Sequence, residues 1–161
     1  GHQPMMSSNN QYVIALNGEI YNHSYLRSEL DQINPGHHWK GHSDTETFLA
    51  GIEAWGIEKT LTKSVGMFAI ALWDKRNKNL SLAIDRIGEK PVYYGWVNGQ
   101  FVFASELKAI KKFPEFKNAI DRSSLALFLS PKFASALILL CLINCSKYPL
   151  SSSFRFRLFF I

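Results

Sequence analysis

Between Trp55 and Met67 the spacing of apolar residues changes period, and this limits the folds open to the chain. On the N-terminal side Phe48, Leu49, Ile52 and Trp55 recur three and four residues apart, which predicts an amphipathic helix. Ser43 with Glu46 three residues later predicts a capping box at its start. Asp44 and Glu46 fall in the first turn, where the helix dipole favours carboxylates, and Gly56 suits the stop. On the other side, residues 67–73 form a continuous apolar run of strand length. A polar turn over 74–79 and a return strand over 80–84 follow. Segments 92–97 and 100–104 flank Asn98-Gly99, the strongest short-range hairpin signal. Long apolar strands of this kind predict sheets covered on at least one face, some on both.

The remaining elements complete the order. Residues 12–16 read as a strand, with Asn17-Gly18 as a turn pair after it. Asn22 or Ser24 is the expected cap of a helix carrying Leu26, Leu30 and Ile33 on one side, ended by Asn34-Pro35-Gly36. Ser105 is the expected cap of a helix reaching Lys112. Asp121 is the expected cap of another, with Ile120 and Leu125 placed as a hydrophobic staple. Strand, helix, helix, several strands, helix, helix is not a βαβ alternation. It predicts an α+β fold with a largely antiparallel sheet and helices packed outside it.

Charge separates two regions, 1–129 and 130–161. The whole chain of 161 residues carries a formal +5, which would suit a nucleic-acid partner. Residues 1–129 hold 14 Lys/Arg against 13 Asp/Glu, however, while 130–161 hold four basic residues and no acid. The basic character therefore belongs to the tail, and neither nucleic acid nor a membrane surface is the expected partner. The apolar run 133–143 has 11 residues, about half of the ~20 a bilayer span needs, so no membrane span is expected. Cys141 and Cys145 form a lone C-x3-C pair with no second pair to complete a zinc site. His37, His38 and His42 read as a solvated loop rather than a metal cluster. No signal peptide opens the chain, and the expected location is cytoplasmic. No metal and no cofactor are expected in this chain.

Five motifs then occur in order: Asn17-Gly18-Glu19-Ile20-Tyr21-Asn22; His42-Ser43-Asp44-Thr45-Glu46; Gly66-Met67-Phe68-Ala69; Asp85-Arg86-Ile87-Gly88-Glu89-Lys90-Pro91-Val92-Tyr93-Tyr94; and Ser105-Glu106-Leu107-Lys108-Ala109. Together with Gly1-His2-Gln3-Pro4-Met5, they resemble the class II glutamine amidotransferase domain of glutamine-hydrolysing asparagine synthetases over residues 1–129. The resemblance implies an N-terminal-nucleophile hydrolase fold, a four-layer α/β/β/α sandwich, here expected to be incomplete because the opening strand is missing. It implies that an N-terminal cysteine attacks the side-chain amide of L-glutamine, ammonia leaves, and water releases glutamate. By that resemblance Asn17 and Gly18 form the oxyanion hole, Asn17 through its side-chain NH2 and Gly18 through its backbone N–H. Asn17, Glu19 and Asp44 hold glutamine, whose ammonium and amide N–H groups are donors suited to two carboxylates. The ammonia is used in a separate synthetase domain, which needs ATP and magnesium to amidate aspartate.

Taken singly, these residues also have plainer readings: Asn17-Gly18 as a hairpin turn, Asp44 as a helix-dipole partner, Glu19 as an exposed turn carboxylate. Their joint pattern favours the site. The sequence opens at Gly1 without the nucleophile, so the chain alone is expected to be inactive. Residues 130–161 are expected to be an atypical tail, of out-of-frame origin and without strand or helix period, and uncovered strand edges predict low solubility. The rival readings are a non-catalytic glutamine-binding or regulatory module, and an amidotransferase acting on another acceptor such as a sugar carboxylate.

Overall fold

The computed structural model describes residues 2–114, residue 116 and the segment 155–160. In chain order the elements are β1 (Met5–Met6), β2 (Tyr12–Ile20), α1 (His23–Ile33), α2 (Asp44–Trp55), α3 (Ile57–Lys63), β3 (Gly66–Asp74), β4 (Asn79–Ile84), β5 (Tyr93–Val97), β6 (Gln100–Ala104), α4 (Leu107–Lys111) and β7 (Arg155–Phe160). They fall into two compact units. Residues 1–90 with 152–161 make one, and residues 91–151 the other.

The first unit is built on a five-stranded sheet of order β1-β2-β3-β4-β7. β2 and β3 pair antiparallel along their whole lengths, from Tyr12↔Asp74 to Ile20↔Gly66. Ile14, Leu16 and Ile20 of β2 and Phe68, Ile70 and Leu72 of β3 alternate onto one face. There they form a single buried core with Leu26 of α1, Phe48, Leu49 and Ile52 of α2, and Leu61 of α3. The period change in the sequence thus marks the passage from the helices to the sheet they cover. On β4, Leu80, Ser81, Leu82 and Ala83 are buried in succession, the pattern of a strand with both faces covered. The second unit contains the β5–β6 hairpin, whose register closes at Val97↔Gln100. Asn98 and Gly99 have φ of 48° and 76°, the two positive values a type I′ turn requires.

Several expectations are corrected. Asn17-Gly18 is not a turn, because β2 continues to Ile20, paired throughout with β3. Ile33 is 60% exposed and lies outside the core that Leu26 and Leu30 enter. α3 is an additional helix: Gly56, at φ 82°, lets the chain turn directly from α2 into it. Thr60 of α3 packs where Gly51 of α2 has no side chain, since a Cβ there would lie 2.9 Å from Thr60 Cγ2. Glu106, not Ser105, occupies the N-cap of α4. The end of the tail is a strand: β7 pairs parallel to β4, from Asn79↔Arg155 to Ile84↔Phe160, with Phe159 packed against the core. An aromatic-rich run of six residues suffices for a strand when an open edge and an apolar surface receive it. The Asp121 cap, its staple, Cys141 and Cys145 lie outside the described residues.

Candidate functional site

The end of β2 carries the candidate residues, and strand geometry decides how each is presented. Successive backbone groups of a strand point to opposite edges. Odd-numbered residues of β2 face β3, a pattern that continues past the strand where the Tyr21 N–H donates to Val65 O at 2.8 Å. Even-numbered residues face the outer edge. Leu16 is held there by the Gln3 side chain, whose Nε2 donates to Leu16 O at 2.9 Å and whose Oε1 accepts from Leu16 N at 2.7 Å. The Ile20 N–H donates to Asp44 Oδ2 at 2.9 Å. The alternation puts the Gly18 N–H on this same edge, midway between the two. Asn17, Gly18 and Glu19 are all exposed.

Gly18 is required by its surroundings. Its φ is 139°, a region disfavoured for side-chain-bearing residues, and a Cβ would sit 2.0 Å from Met67 O. Across the ladder Gly66 has the matching constraint, with a Cβ meeting Glu19 O at 2.1 Å. Two glycines from separate motifs therefore let β2 and β3 approach closely at one point, the segment that presents Asn17 and Glu19.

Asp44 is brought to this segment, one peptide from Glu19. Besides the Ile20 N–H it accepts from Thr45 N at 2.7 Å through Oδ1, so it ties the start of α2 to the end of β2. Ser43 caps α2 by accepting from Thr45 N at 3.2 Å. Glu46 does not complete the expected capping box. It accepts instead from Lys40 N at 2.6 Å and Gly41 N at 3.0 Å, bracing the loop before the helix. Arg27 of α1 supports the same loop, donating to Gly41 O at 2.8 Å and Thr47 Oγ1 at 3.1 Å and lying 4.1 Å from the Trp39 ring centroid. His37 packs edge-on against Trp39. Among the described residues no group of three or more His, Cys, Asp or Glu is placed to hold a metal ion. A cavity of about 240 Å³ lined by Leu30, Ile33, His37 and Glu53 lies elsewhere and includes none of the candidate residues.

Two residues of the motifs act in ways the sequence did not reveal. Asn22 occupies the N-cap position of α1, as expected, but its side chain makes no capping hydrogen bond there. Its Nδ2 donates to Lys63 O and its Oδ1 accepts from Val65 N, both at 2.9 Å, so it pins the α3–β3 junction beside the end of β2. Asp85, 4% exposed, accepts from Ile87 N, Glu89 N, Phe68 N and Lys90 N at 3.0–3.3 Å. Burial pushes its carboxyl up, but the N–H groups of Glu89, Lys90, Phe68 and Ile87 outweigh this and hold it below its ordinary value. Phe68 is the residue opposite Gly18. The only signal for either role was membership of a motif, because both depend on partners distant in sequence.

The chain is similar to several known proteins. The glutamine amidotransferase domain family matches residues 1–144, past the boundary at 129 drawn from the motifs. Asparagine synthetase [glutamine-hydrolyzing] 3 of Bacillus subtilis is 39% identical over 128 residues, covering 78% of this chain and 20% of that protein. Asparagine synthetase [glutamine-hydrolyzing] 2 of Arabidopsis thaliana is 39% identical over 111 residues, covering 68% of this chain and 18% of that protein. The chain thus spans about a fifth of the length of these relatives. Among solved structures, the glutamine phosphoribosylpyrophosphate amidotransferase from B. subtilis superposes with a TM-score of 0.59 at 28% identity, covering 68% of this chain and 25% of that one. The α+β fold is of the N-terminal-nucleophile amidotransferase type.

Proposed function

As the chain belongs to the glutamine amidotransferase domain family, we propose that it forms one wall of a glutamine site. Asn17 and Gly18 stabilise the oxyanion that forms when the glutamine side-chain amide is attacked. Glu19 and Asp44 receive the donors of the substrate. The observation that carries this reading is the outer edge of β2, where Gly18 lies exposed between two positions already held by Gln3 and Asp44. A donor on a strand edge whose neighbouring peptides are held meets the charge of a transition state without having to reorganise. Asp44 uses one lone pair of Oδ2 on Ile20, and a carboxylate oxygen has another to offer.

The attack on glutamine gives a thioester and ammonia, and water then releases glutamate. The thiolate comes from outside the described residues, and neither Cys141 nor Cys145 is assigned to it. The ammonia amidates aspartate in a synthetase domain that uses ATP and magnesium. Similarity to asparagine synthetases favours this acceptor over a sugar carboxylate. No helix among the described residues is long and apolar enough to cross a membrane, and the proposed location is cytoplasmic.

Calorimetric titration of the purified chain with L-glutamine, alongside an ammonia-release assay, tests the reading. Expected are binding by the wild type, loss of most of that binding in Asn17→Ala and Glu19→Gln, and ammonia release at background. Absence of glutamine binding, or binding that neither substitution weakens, overturns it.

A further inference from the structure

The outer edge of β2 is closed first by a strand and then by a side chain. β1 pairs with it only at Met5↔Ile14 and Met6↔Val13. Two residues further along β2, the Gln3 amide takes over with one donated and one accepted hydrogen bond to Leu16. A planar amide bonded through both its oxygen and its nitrogen reproduces what a neighbouring strand would supply. The carbonyl that it holds belongs to the peptide between Leu16 and Asn17. Four residues along β2, Asp44 holds the peptide between Glu19 and Ile20. The two clamps bracket Asn17, Gly18 and Glu19.

This bracketing matters because of Gly18. A glycine at φ 139° has no Cβ to restrict its torsions, so the backbone is softer there than at the other residues of β2. Pairing with β3 restrains Asn17 and Glu19 from the inner side. On the outer side the held neighbouring peptides keep the Gly18 N–H in a constant direction.

We propose that Gln3 is a positioning residue of the glutamine site: by holding the peptide between Leu16 and Asn17, it aims the Gly18 N–H at substrate. The proposal rests on the reading of Asn17 and Gly18 given above. Gln3 itself touches no substrate. The competing explanation is that Gln3 merely covers a strand edge against further pairing.

Gln3→Met separates these explanations, since it keeps the length of the side chain and removes both hydrogen bonds. Gln11→Met is the control. Gln11 also bridges by its amide beside β2, at the opposite end of the sheet, where Nε2 donates to Asp74 Oδ1 at 3.3 Å. L-Glutamine is titrated into each isotope-labelled chain while the Gly18 amide resonance is followed, and the urea midpoint of each is measured. Expected is a Kd raised about tenfold in Gln3→Met, with a smaller response of the Gly18 resonance. Gln11→Met should keep the wild-type Kd even where its urea midpoint falls as far. Equal Kd values for Gln3→Met and wild type overturn the proposal and leave the glutamine site standing. Equal weakening in both variants also overturns it, showing general loosening of the sheet. Wild-type protein that binds no glutamine overturns the site itself, and the proposal with it.

Discussion

At one end of the β2–β3–β4 sheet Asp74 accepts from Arg76 N, Asn77 N and Asn77 Nδ2 at 2.7–3.1 Å, closing the turn that joins β3 to β4. At the other end Asp85 accepts from four backbone N–H groups, three of them in its own loop and one on Phe68 of β3. Both carboxylates are buried, and both are held below their ordinary value by hydrogen bonds that outweigh the cost of burial. The same device thus caps both ends, but its reach differs. Asp74 organises its own turn and meets Gln11 side chain to side chain. Asp85 fastens its loop to the strand backbone directly opposite Gly18. At that end exposed polar residues sit on a backbone held by Gln3, Asp44, Asn22 and the Gly18–Gly66 approach. A local cap makes a turn; a cap that reaches another strand makes a platform.

The comparison breaks most readily at Gly18. Gly18→Ala forces a Cβ against Met67 O at an unfavourable φ and is expected to cost about 3 kcal/mol in urea unfolding. A loss below about 1 kcal/mol would mean that the close approach is not needed.

The next largest contrast is between the aspartates. Asp85→Asn leaves at least one buried backbone N–H facing an amide NH2 and is expected to cost about 2–3 kcal/mol, against about 1 kcal/mol for the more local Asp74→Asn. Both carboxylates bind a proton less readily when folded than when unfolded. Their contribution is therefore complete above the ordinary carboxyl value of 3.8 and is lost as pH falls through the lower folded values. Stability measured from pH 5 downward should fall in the wild type and less steeply in both Asp74→Asn and Asp85→Asn. A slope unchanged by either substitution would mean that its carboxylate is not held by these hydrogen bonds.

The smallest expected effect is at the turn after Asp74, where Lys78 has φ 49° without being glycine. Lys78→Gly relieves that conformation while adding freedom to the unfolded chain, and stability should stay within about 1 kcal/mol of wild type. A substitution that is tolerated toward glycine at one end and refused away from glycine at the other is the sharpest form of the contrast.

Much of the fold was legible in the residues. The core face of α2, the β3–β4 pair and the hairpin at Asn98-Gly99 follow from period and turn chemistry, because neighbours a few residues apart generate both signals. The pinning role of the Asn22 side chain, the exposure of Ile33 and the bracing role of Glu46 do not, because each depends on what else comes within reach. β7 shows the same limit from the other side. Its six residues became a strand only through the edge of β4 and the apolar surface that Phe159 meets.

What the sequence by itself determined is chemical identity and order: an amide, a glycine and a carboxylate at positions 17–19, with a second carboxylate at 44. It could not distinguish a turn from a strand at Asn17-Gly18, since the same pair serves both and local propensity favours the turn. The tertiary structure decided that question by laying Met67 and Phe68 against Gly18. It also placed Gln3, Asp44 and Asp85 around the segment. The physical reason is reach: a hydrogen bond or a close backbone contact is set by separation in space, and these partners lie 13 to 67 residues from Gly18 or its neighbours along the chain.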